Sequence, residues 1–418
     1  MESLKLLRLE KVTQIKITSS PDQRHLAIFL PSLAGGGVAR VMLDLAEAFT
    51  RSGHRIDILL CQKKGDFHNL VHPMINVIFL KPSGSWISRI RILLMNWRIW
   101  PSLLFPILAA YKPPKTIRYL CDLANYLDRE RPDALLSAKT PTNLVAIWGK
   151  QLAKVQTRTV VSERTHLSMT TERSPKWRWR LIAPLVEKVY PQADRIIAVS
   201  NGVADDLTQI AKLPRSTITT IYNPTLTTKI IERACEPIAH PWLLSPTFPV
   251  ILGVGRLVPQ KDFSTLLKAF AHVLEKFPSR LIILGKGRER AKLEMLASQL
   301  HITNEVSFAG FTPNPYAFMA RASVFVLSSA WEGLPNVLIE ALVCGCPIVS
   351  TNCPSGPKEI LSDGVWGSLV PVGDDQALAQ AILQTLHHPP DSERLQARAA
   401  EFDIKTISNQ YLETLLSD

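Results

Sequence analysis

Paired cysteines, long apolar runs and low-complexity tracts are all missing from this chain, and each absence closes off a class of protein. The cysteines, Cys61, Cys121, Cys235, Cys344, Cys346 and Cys353, form no Cys-x-x-Cys pair and no Cys/His spacing of a zinc site. They read as small apolar residues of a reducing compartment, not as a disulfide framework. Cys344, Cys346 and Cys353 lie close to the chemistry-bearing motifs described below, which suggests some thiol sensitivity. The most apolar window, 99–111, is broken by Pro101 and Pro106. It falls short of the roughly 20 apolar residues that a spanning helix needs. Segment 1–24 mixes charges with short apolar runs and lacks the continuous stretch of a secretory signal. Negative charge is also scarce: 36 acidic residues face 48 basic ones, a net of +12. That surplus fits nucleic acid, an anionic membrane surface or a phosphate-bearing substrate, and charge alone does not choose among them.

What is present is a repeated strand–turn–helix pattern. The chain has 418 residues, and domains usually run about 100–200 residues, so two domains are expected. The apolar run Leu26-Ala-Ile-Phe-Leu30 leads into a Gly-rich turn and then a helical pattern. Further strands are predicted at 56–61, 134–137, 158–162, 195–200 and 219–222. The scheme restarts at Val250-Ile-Leu-Gly-Val254, with strands at 281–284, 306–309, 324–327 and 347–350. Phe263, Leu266, Leu267, Phe270 and Leu274 recur at helical spacing between the first two of these. Alternating strands and helices predict an α/β fold of two facing doubly wound parallel sheets, each covered on both sides. The seam falls in the proline-rich stretch 224–249. This gives a first domain over 25–224 and a second over 225–403. Ligands of such sheets sit beyond the carboxyl ends of the strands.

Chemistry-bearing residues gather at those ends. Gly253-Val-Gly255-Arg256 closes one strand, and Lys261 follows five positions later. Two cations beside a glycine that lets backbone approach a ligand suit the phosphates of a leaving nucleotide. Ser328-Ser-Ala-Trp-Glu332-Gly333-Leu334-Pro335-Asn336 precedes a helix that holds Glu340. Pro335 marks the helix start, and backbone N–H groups over 333–336 would face the crevice as an anion site. Glu340 is flanked by Ile339, Ala341 and Leu342, so its carboxylate needs a partner. A third loop, Asn352-Cys-Pro-Ser-Gly356-Pro-Lys358-Glu359, is a candidate contact to a donor sugar or phosphate, or else a capped helix start. In the first half, Gly35-Gly36-Gly37-Val-Ala-Arg40 lacks both G-x-G-x-x-G and G-K-[ST] spacing. Its glycines are read as allowing close approach of the opposite domain or its ligand. His166, at the end of Val160-Val-Ser-Glu-Arg-Thr, is a candidate to orient donor or acceptor. Segment 86–100 interleaves Trp86, Trp97 and Trp100 with arginines and aliphatics, and Trp177-Arg-Trp179-Arg180 adds a second basic aromatic cluster. The longer segment suits either a helix on an anionic membrane or an amphipathic helix packed inward with its basic residues outside.

Gly255-Arg256-Leu-x3-Lys261-Asp262, followed by Glu332-Gly-x-Pro335-Asn336-x3-Glu340-Ala, resembles the retaining glycosyltransferases of family 4, which have the GT-B fold. The two glutamates with seven residues between them are the most specific part, and the likeness extends from about Leu26. The resemblance implies a metal-independent, hexosyltransferase-type enzyme with no cofactor and a nucleotide sugar, most simply a UDP-sugar, as co-substrate. It implies that Arg256 and Lys261 bind the donor diphosphate and that Glu340 holds the ribose hydroxyls. Glu332 would contact the donor sugar, helped by backbone over 333–336. His166 would stand near the reacting sugar, and Gly36 and Gly37 would line the cleft. A C-terminal helix over about 404–418 would cross back onto the first domain. The family often carries a Glu before the arginine of its Gly-rich turn, whereas this chain has Ala39 before Arg40.

The resulting expectation is polysaccharide or cell-envelope synthesis. A sugar would pass to a lipid-linked or polysaccharide acceptor, with the enzyme cytoplasmic and peripheral on the inner face of the cell membrane. Two other readings compete: a nucleotide-sugar epimerase of the same two-domain shape, and a basic non-enzymatic nucleic-acid-binding protein. No recognition helix, zinc module or RNA-binding motif supports the second, and nucleic acid is not an expected partner.

Overall fold

The computed structural model describes residues 23–34, 36–65, 67–110, 113–174, 180–245 and 247–417. Most of the N-terminal segment, Gly35 and the Trp177 to Trp179 cluster lie outside the described residues.

Among the described residues thirteen strands form two sheets, one of seven strands and one of six. The first is built from β1 (His25–Leu30), β2 (Arg55–Leu60), β3 (Asn76–Phe79), β4 (Ala134–Ala138), β5 (Arg158–Glu163), β6 (Arg195–Ala198) and β7 (Ile218–Thr220). Its spatial order is β3-β2-β1-β4-β5-β6-β7, and every pairing is parallel. The second contains β8 (Val250–Val254), β9 (Arg280–Leu284), β10 (Val306–Gly310), β11 (Val324–Leu327), β12 (Ile348–Thr351) and β13 (Ser368–Val370). Its order is β10-β9-β8-β11-β12-β13, again all parallel. Central strands such as Val250–Val254 are runs of apolar residues because helices cover both faces of a parallel sheet.

Both sheets reverse their winding once, between β1 and β4 in the first and between β8 and β11 in the second. A crevice opens beyond the carboxyl ends of the strands at each reversal, and this is where doubly wound sheets hold ligands. The loops after β1 and β4 carry Gly36, Gly37 and Lys139. The loops after β8 and β11 carry Arg256, Lys261 and Glu332. The two switch points therefore contribute to one interdomain cleft.

Several helices are anchored by their own first turns. Asp262, in the left-handed region at φ 42°, accepts from the Thr265 N–H and starts the helix Phe263–Leu274. Asp374 does the same for Asp375–His387. The last helix, Ile404–Leu416, buries Ile407, Tyr411 and Leu415 among Leu26, Ile28 and Val41 of the first sheet's core. Thr225 and Asp403 form a parallel bridge where the chain returns. No described helix is long and apolar enough to cross a membrane.

The segment around Trp86 turns one arginine inward and leaves much apolar surface outward. Ser85–Met95 buries Ser88 and Ile92. Arg89 turns inward, donating to the carbonyls of Leu108 at 2.8 Å and Ala110 at 2.7 Å. Those bonds satisfy carbonyls of the irregular stretch that follows and fold it against the helix. Much of what faces outward is apolar: Trp86 is 67%, Leu94 71% and Trp97 65% exposed, with Ile90, Trp100 and Phe105 also exposed, beside the exposed Arg91 and Arg98. The helix packs inward through Ile92 with Arg91 outside, but Arg89 and the exposed aromatics depart from that pattern.

Candidate active site

The loop after β8 and the loop after β11 converge on one ion pair. Lys261 Nζ donates to Glu332 Oε1 at 2.6 Å, and their side chains are 13% and 8% exposed. Ser329 Oγ donates to the same oxygen at 2.6 Å. Gln260 Nε2 donates to the carbonyl of Trp331 at 3.0 Å, which holds the Glu332 backbone in place. Ser328 Oγ donates to the Lys261 carbonyl at 2.9 Å and Ala330 N–H to that of Gln260 at 2.8 Å, so the two loops are laced together. Gly255 keeps room for the lysine: a Cβ there would lie 3.2 Å from its side chain.

Arg256 behaves differently from Lys261. It is exposed, and among the described residues its side chain bonds Gln260, at 3.5 Å. The two cations that the spacing assigned jointly to a diphosphate are therefore divided. One is bound to a carboxylate and one is open.

Glu340 lies on the helix Asn336–Val343 and faces the first domain. Tyr316 Oη donates to it at 3.4 Å. Burial holds its carboxyl above the usual range, with Arg40 acting against that effect. Beside it stands Asp44, on the helix Gly37–Arg51, whose carboxyl is pushed up by burial to about 6 against the pull of Arg40 and Lys229. Arg40 lies over the Tyr316 ring at 5.5 Å. The partner that an apolar flank demanded for Glu340 is thus a phenol of its own domain together with an arginine of the other.

Across the cleft, His166 donates its backbone N–H to the Glu332 carbonyl at 3.4 Å. Its Nδ1 lies 3.3 Å from Asp206 Oδ1, on the helix Asn201–Ala211. Asp206 instead accepts from the Leu167 and Ser168 N–H groups, the latter at 3.2 Å, and so caps the short helix behind the imidazole, whose Nδ1 makes no hydrogen bond among the described residues. Gly333 occupies the tightest point of the seam. A Cβ there would sit 2.2 Å from the Arg164 carbonyl oxygen, which only glycine avoids. Ser200 Oγ donates to the Gly333 carbonyl at 2.8 Å. Leu334 and Pro335 are buried behind it. Asn336 Oδ1 accepts from Asn223 Nδ2 at 2.6 Å, and Asn223 in turn accepts from Arg164. Gly37 faces Asn336, where a Cβ would be 3.6 Å from its Nδ2, while Gly36 caps the helix from an exposed position at φ 142°.

The loop over 352–359, read as a donor contact or a capped helix start, begins the helix Pro357–Ile360. Glu359 accepts from the N–H groups of Asn201 at 2.7 Å and Gly202 at 3.0 Å, bracing the opposite domain's helix. The cysteines near the site are not poised to react. Burial pushes Cys344 to about 12 and Cys346 and Cys353 further above the ordinary thiol range. Among the described residues, no group of three or more His, Cys, Asp or Glu side chains could hold a metal ion. Asp44, Tyr316, Asp206 and Asn223 are parts of this cleft that pattern reading did not single out. Only Asp44 left a signal, as an acid on the first helix after the Gly-rich turn.

Comparison with known proteins settles the family. The description "Glycosyltransferase Family 4" matches residues 35–228, and "Glycosyl transferases group 1" matches residues 237–402. The chain belongs to glycosyltransferase family 4. A family 4 enzyme of this fold is a retaining, nucleotide-sugar-dependent glycosyltransferase. Among the relatives of this family 4 chain is a Campylobacter jejuni protein, N-acetylgalactosamine-N,N'-diacetylbacillosaminyl-diphospho-undecaprenol 4-alpha-N-acetylgalactosaminyltransferase. It is 29% identical over 94% of this chain and 100% of its own length. The lipopolysaccharide core biosynthesis glycosyltransferase LpsE of Rhizobium meliloti is 37% identical over 40% of this chain and 50% of its own. Anabaena HepE, solved in complex with UDP and glucose, superposes with a TM-score of 0.72 at 22% identity, covering 95% of this chain and all of that one. That likeness establishes the GT-B arrangement of the two sheets.

Proposed function

We propose that this family 4 enzyme transfers a sugar from a UDP-sugar to a lipid-linked acceptor at an anionic membrane surface, with the second domain holding the donor and the first the acceptor. The observation that carries the donor half is the Lys261–Glu332 pair beside the open Arg256 at the switch point of the second sheet. In this reading Arg256 meets the diphosphate directly, and Lys261 reaches it from its bond with Glu332. Glu340 takes ribose hydroxyls, Glu332 and the backbone over 333–336 take the donor sugar, and Gly36 and Gly37 line the opposite wall. As the sugar–phosphate bond breaks, negative charge grows on the leaving diphosphate, and preorganised cations there lower the barrier. The acceptor attacks from the face that the phosphate leaves, and the phosphate takes the acceptor proton. His166, close to Asp206, stands across the cleft from Glu332, near the reacting sugar. UDP is favoured by the HepE complex.

The acceptor half rests on the outward apolar face of Trp86, Leu94 and Trp97 together with the net charge of +12. A contiguous exposed apolar patch marks an interaction surface, and aromatic plus basic composition suits an anionic interface. The full-length C. jejuni relative acts, by its name, on a diphospho-undecaprenol substrate. The six free thiols fit the cytoplasmic side. Screening nucleotide sugars for thermal stabilisation and slow hydrolysis tests the donor reading. A UDP-sugar should stabilise the protein and be hydrolysed, and Arg256→Ala should lose both effects. Equal response of the Arg256 variant would refute the site.

A further inference from the structure

The loop after β4 carries a residue that the roles above leave unused. Lys139 ends that strand at the switch point of the first sheet, with φ 79° and ψ 138°. A side chain in that region is strained, and such strain persists where the surroundings over-determine it, often at ligand sites. Here they do. The Lys139 N–H donates to the Ser162 carbonyl at 3.2 Å, and its own carbonyl accepts from Thr142 and Asn143 at 3.0 and 2.9 Å. Glycine would hold this turn at lower cost, yet the chain places a long cation there.

That cation has no carboxylate partner among the described residues, and the charges acting on it are Arg256 and Arg164, both of its own sign. Arg164 is buried within the first domain, held by Asn223, the sulfur of Met42 and Tyr411, with Glu163 as its nearby counter-charge. Its neighbour Glu163 is engaged by Tyr190 and Thr140 at 2.8 and 3.0 Å. Arg256, from the second domain, is open as described. Lys139 and Arg256, one from each domain, thus face one cleft with no carboxylate bonded to either among the described residues, an arrangement that favours an anion between them. Burial and the two guanidinium groups hold the Lys139 ammonium below its ordinary range, as such crowding requires.

We propose that Lys139 is a diphosphate ligand contributed by the first domain, gripping from across the cleft the same anion that Arg256 meets from the second. The proposal rests on the reading of Arg256 given above. The anion has two possible sources with one chemistry, the leaving nucleoside diphosphate and the diphosphate of a lipid-linked acceptor.

The test titrates UDP and UMP into the full-length wild type and into Lys139→Gly, Lys139→Arg and Arg256→Ala, and measures KM for donor and acceptor separately. A charge-assisted phosphate contact is worth about 1.5–3 kcal/mol, or roughly 10- to 100-fold in affinity. Lys139→Gly should weaken UDP by that factor and UMP by less than about twofold, while Lys139→Arg keeps most of the UDP affinity. Lys139→Gly should melt no lower than wild type because it relieves the backbone. If UDP binding is unchanged but the acceptor KM rises about tenfold or more, the anion is the acceptor's diphosphate and the ligand role stands. Unchanged UDP affinity and unchanged acceptor KM in Lys139→Gly overturn the proposal, provided Arg256→Ala still weakens UDP. If Arg256→Ala is also silent, the reading of Arg256 falls with it. Equal loss in Lys139→Gly and Lys139→Arg would mark a structural role and also overturn it.

Discussion

The Lys261–Glu332 pair allows stability and catalysis to be separated by a single thermodynamic cycle. Both side chains are nearly buried, at 13% and 8% exposure. Removing one member of a buried pair typically costs 3–5 kcal/mol because the other charge is left desolvated. Glu332 keeps one good donor, Ser329 Oγ at 2.6 Å, so Lys261→Met belongs at the low end, about 3 kcal/mol. Glu332→Gln strands the ammonium against an amide and should cost about 2 kcal/mol. The double variant strands neither charge and should lie within about 1 kcal/mol of wild type. The coupling is then about 4 kcal/mol, well above the roughly 0.5 kcal/mol scatter of independent sites. For a domain of this size about 1 kcal/mol moves the midpoint by 2–4 °C. Lys261→Met should therefore lower the melting temperature of the second domain by roughly 6–12 °C, and the double variant should restore most of it.

Transfer activity should not follow. Each single variant and the double should fall about 100-fold or more, since the groups that act on the leaving phosphate and the donor sugar are gone. Circular dichroism melts and a donor-turnover assay on the same four proteins give both readouts. A double variant as unstable as its two singles combined would refute the coupled-pair argument. Full activity in Glu332→Gln would refute the catalytic reading while leaving the pair intact.

Three further outcomes follow from other parts of the molecule. Folded Asp44 holds its proton to about pH 6 where the unfolded chain releases it near 3.8, so the folded state binds more protons in that window. Its contribution is complete below pH 3.8 and lost as pH rises through 6, amounting to roughly 3 kcal/mol. Asp44→Asn should therefore flatten the pH dependence of urea unfolding between about pH 4 and 6, and an unchanged slope would dismiss the buried carboxyl. Replacing Trp86, Leu94 and Trp97 together by serine should weaken binding to vesicles containing anionic lipid by about 100-fold or more, with donor hydrolysis in solution retained. Equal sedimentation with vesicles would remove the membrane role of this face. Gly333→Ala places a methyl 2.2 Å from the Arg164 carbonyl. It should cost about 1–3 kcal/mol of interdomain contact and reduce turnover about tenfold or more; wild-type turnover would show that the seam yields freely.

What could be read from the chain alone follows how local each signal is. The central strands were legible because a strand buried on both faces is a short apolar run, and the ends of those runs pointed directly at Arg256, Lys261 and Glu332. The edge strands β3 and β13 were not, because Asn76–Phe79 and Ser368–Val370 are only partly buried and carry no continuous apolar run. Side-chain direction was least legible of all. Nothing in the spacing of Arg89 says that its guanidinium turns inward to satisfy the carbonyls of Leu108 and Ala110, yet that choice leaves Trp86 and Leu94 facing outward. The loop that holds Glu359 supports either a donor contact or a helix start on sequence alone, since a charged loop after a strand serves both. In the folded chain its carboxylate answers the unpaired N–H groups of a helix in the other domain. Lys139 shows the converse. The strand before it was predicted, and the rule that ligands sit beyond strand ends applies to it as fully as to Arg256. It went unremarked because a single lysine beside Thr140-Pro141 has no motif around it, and only two domains brought together reveal that the charges facing it are positive. Charges shared across a cleft are a property of the assembled pair of sheets. The two loops that meet at the Lys261–Glu332 pair are marked by motif spacing, as are His166, Gly36 and Gly37 of the first domain, whereas no local pattern marks Lys139 or Asp206.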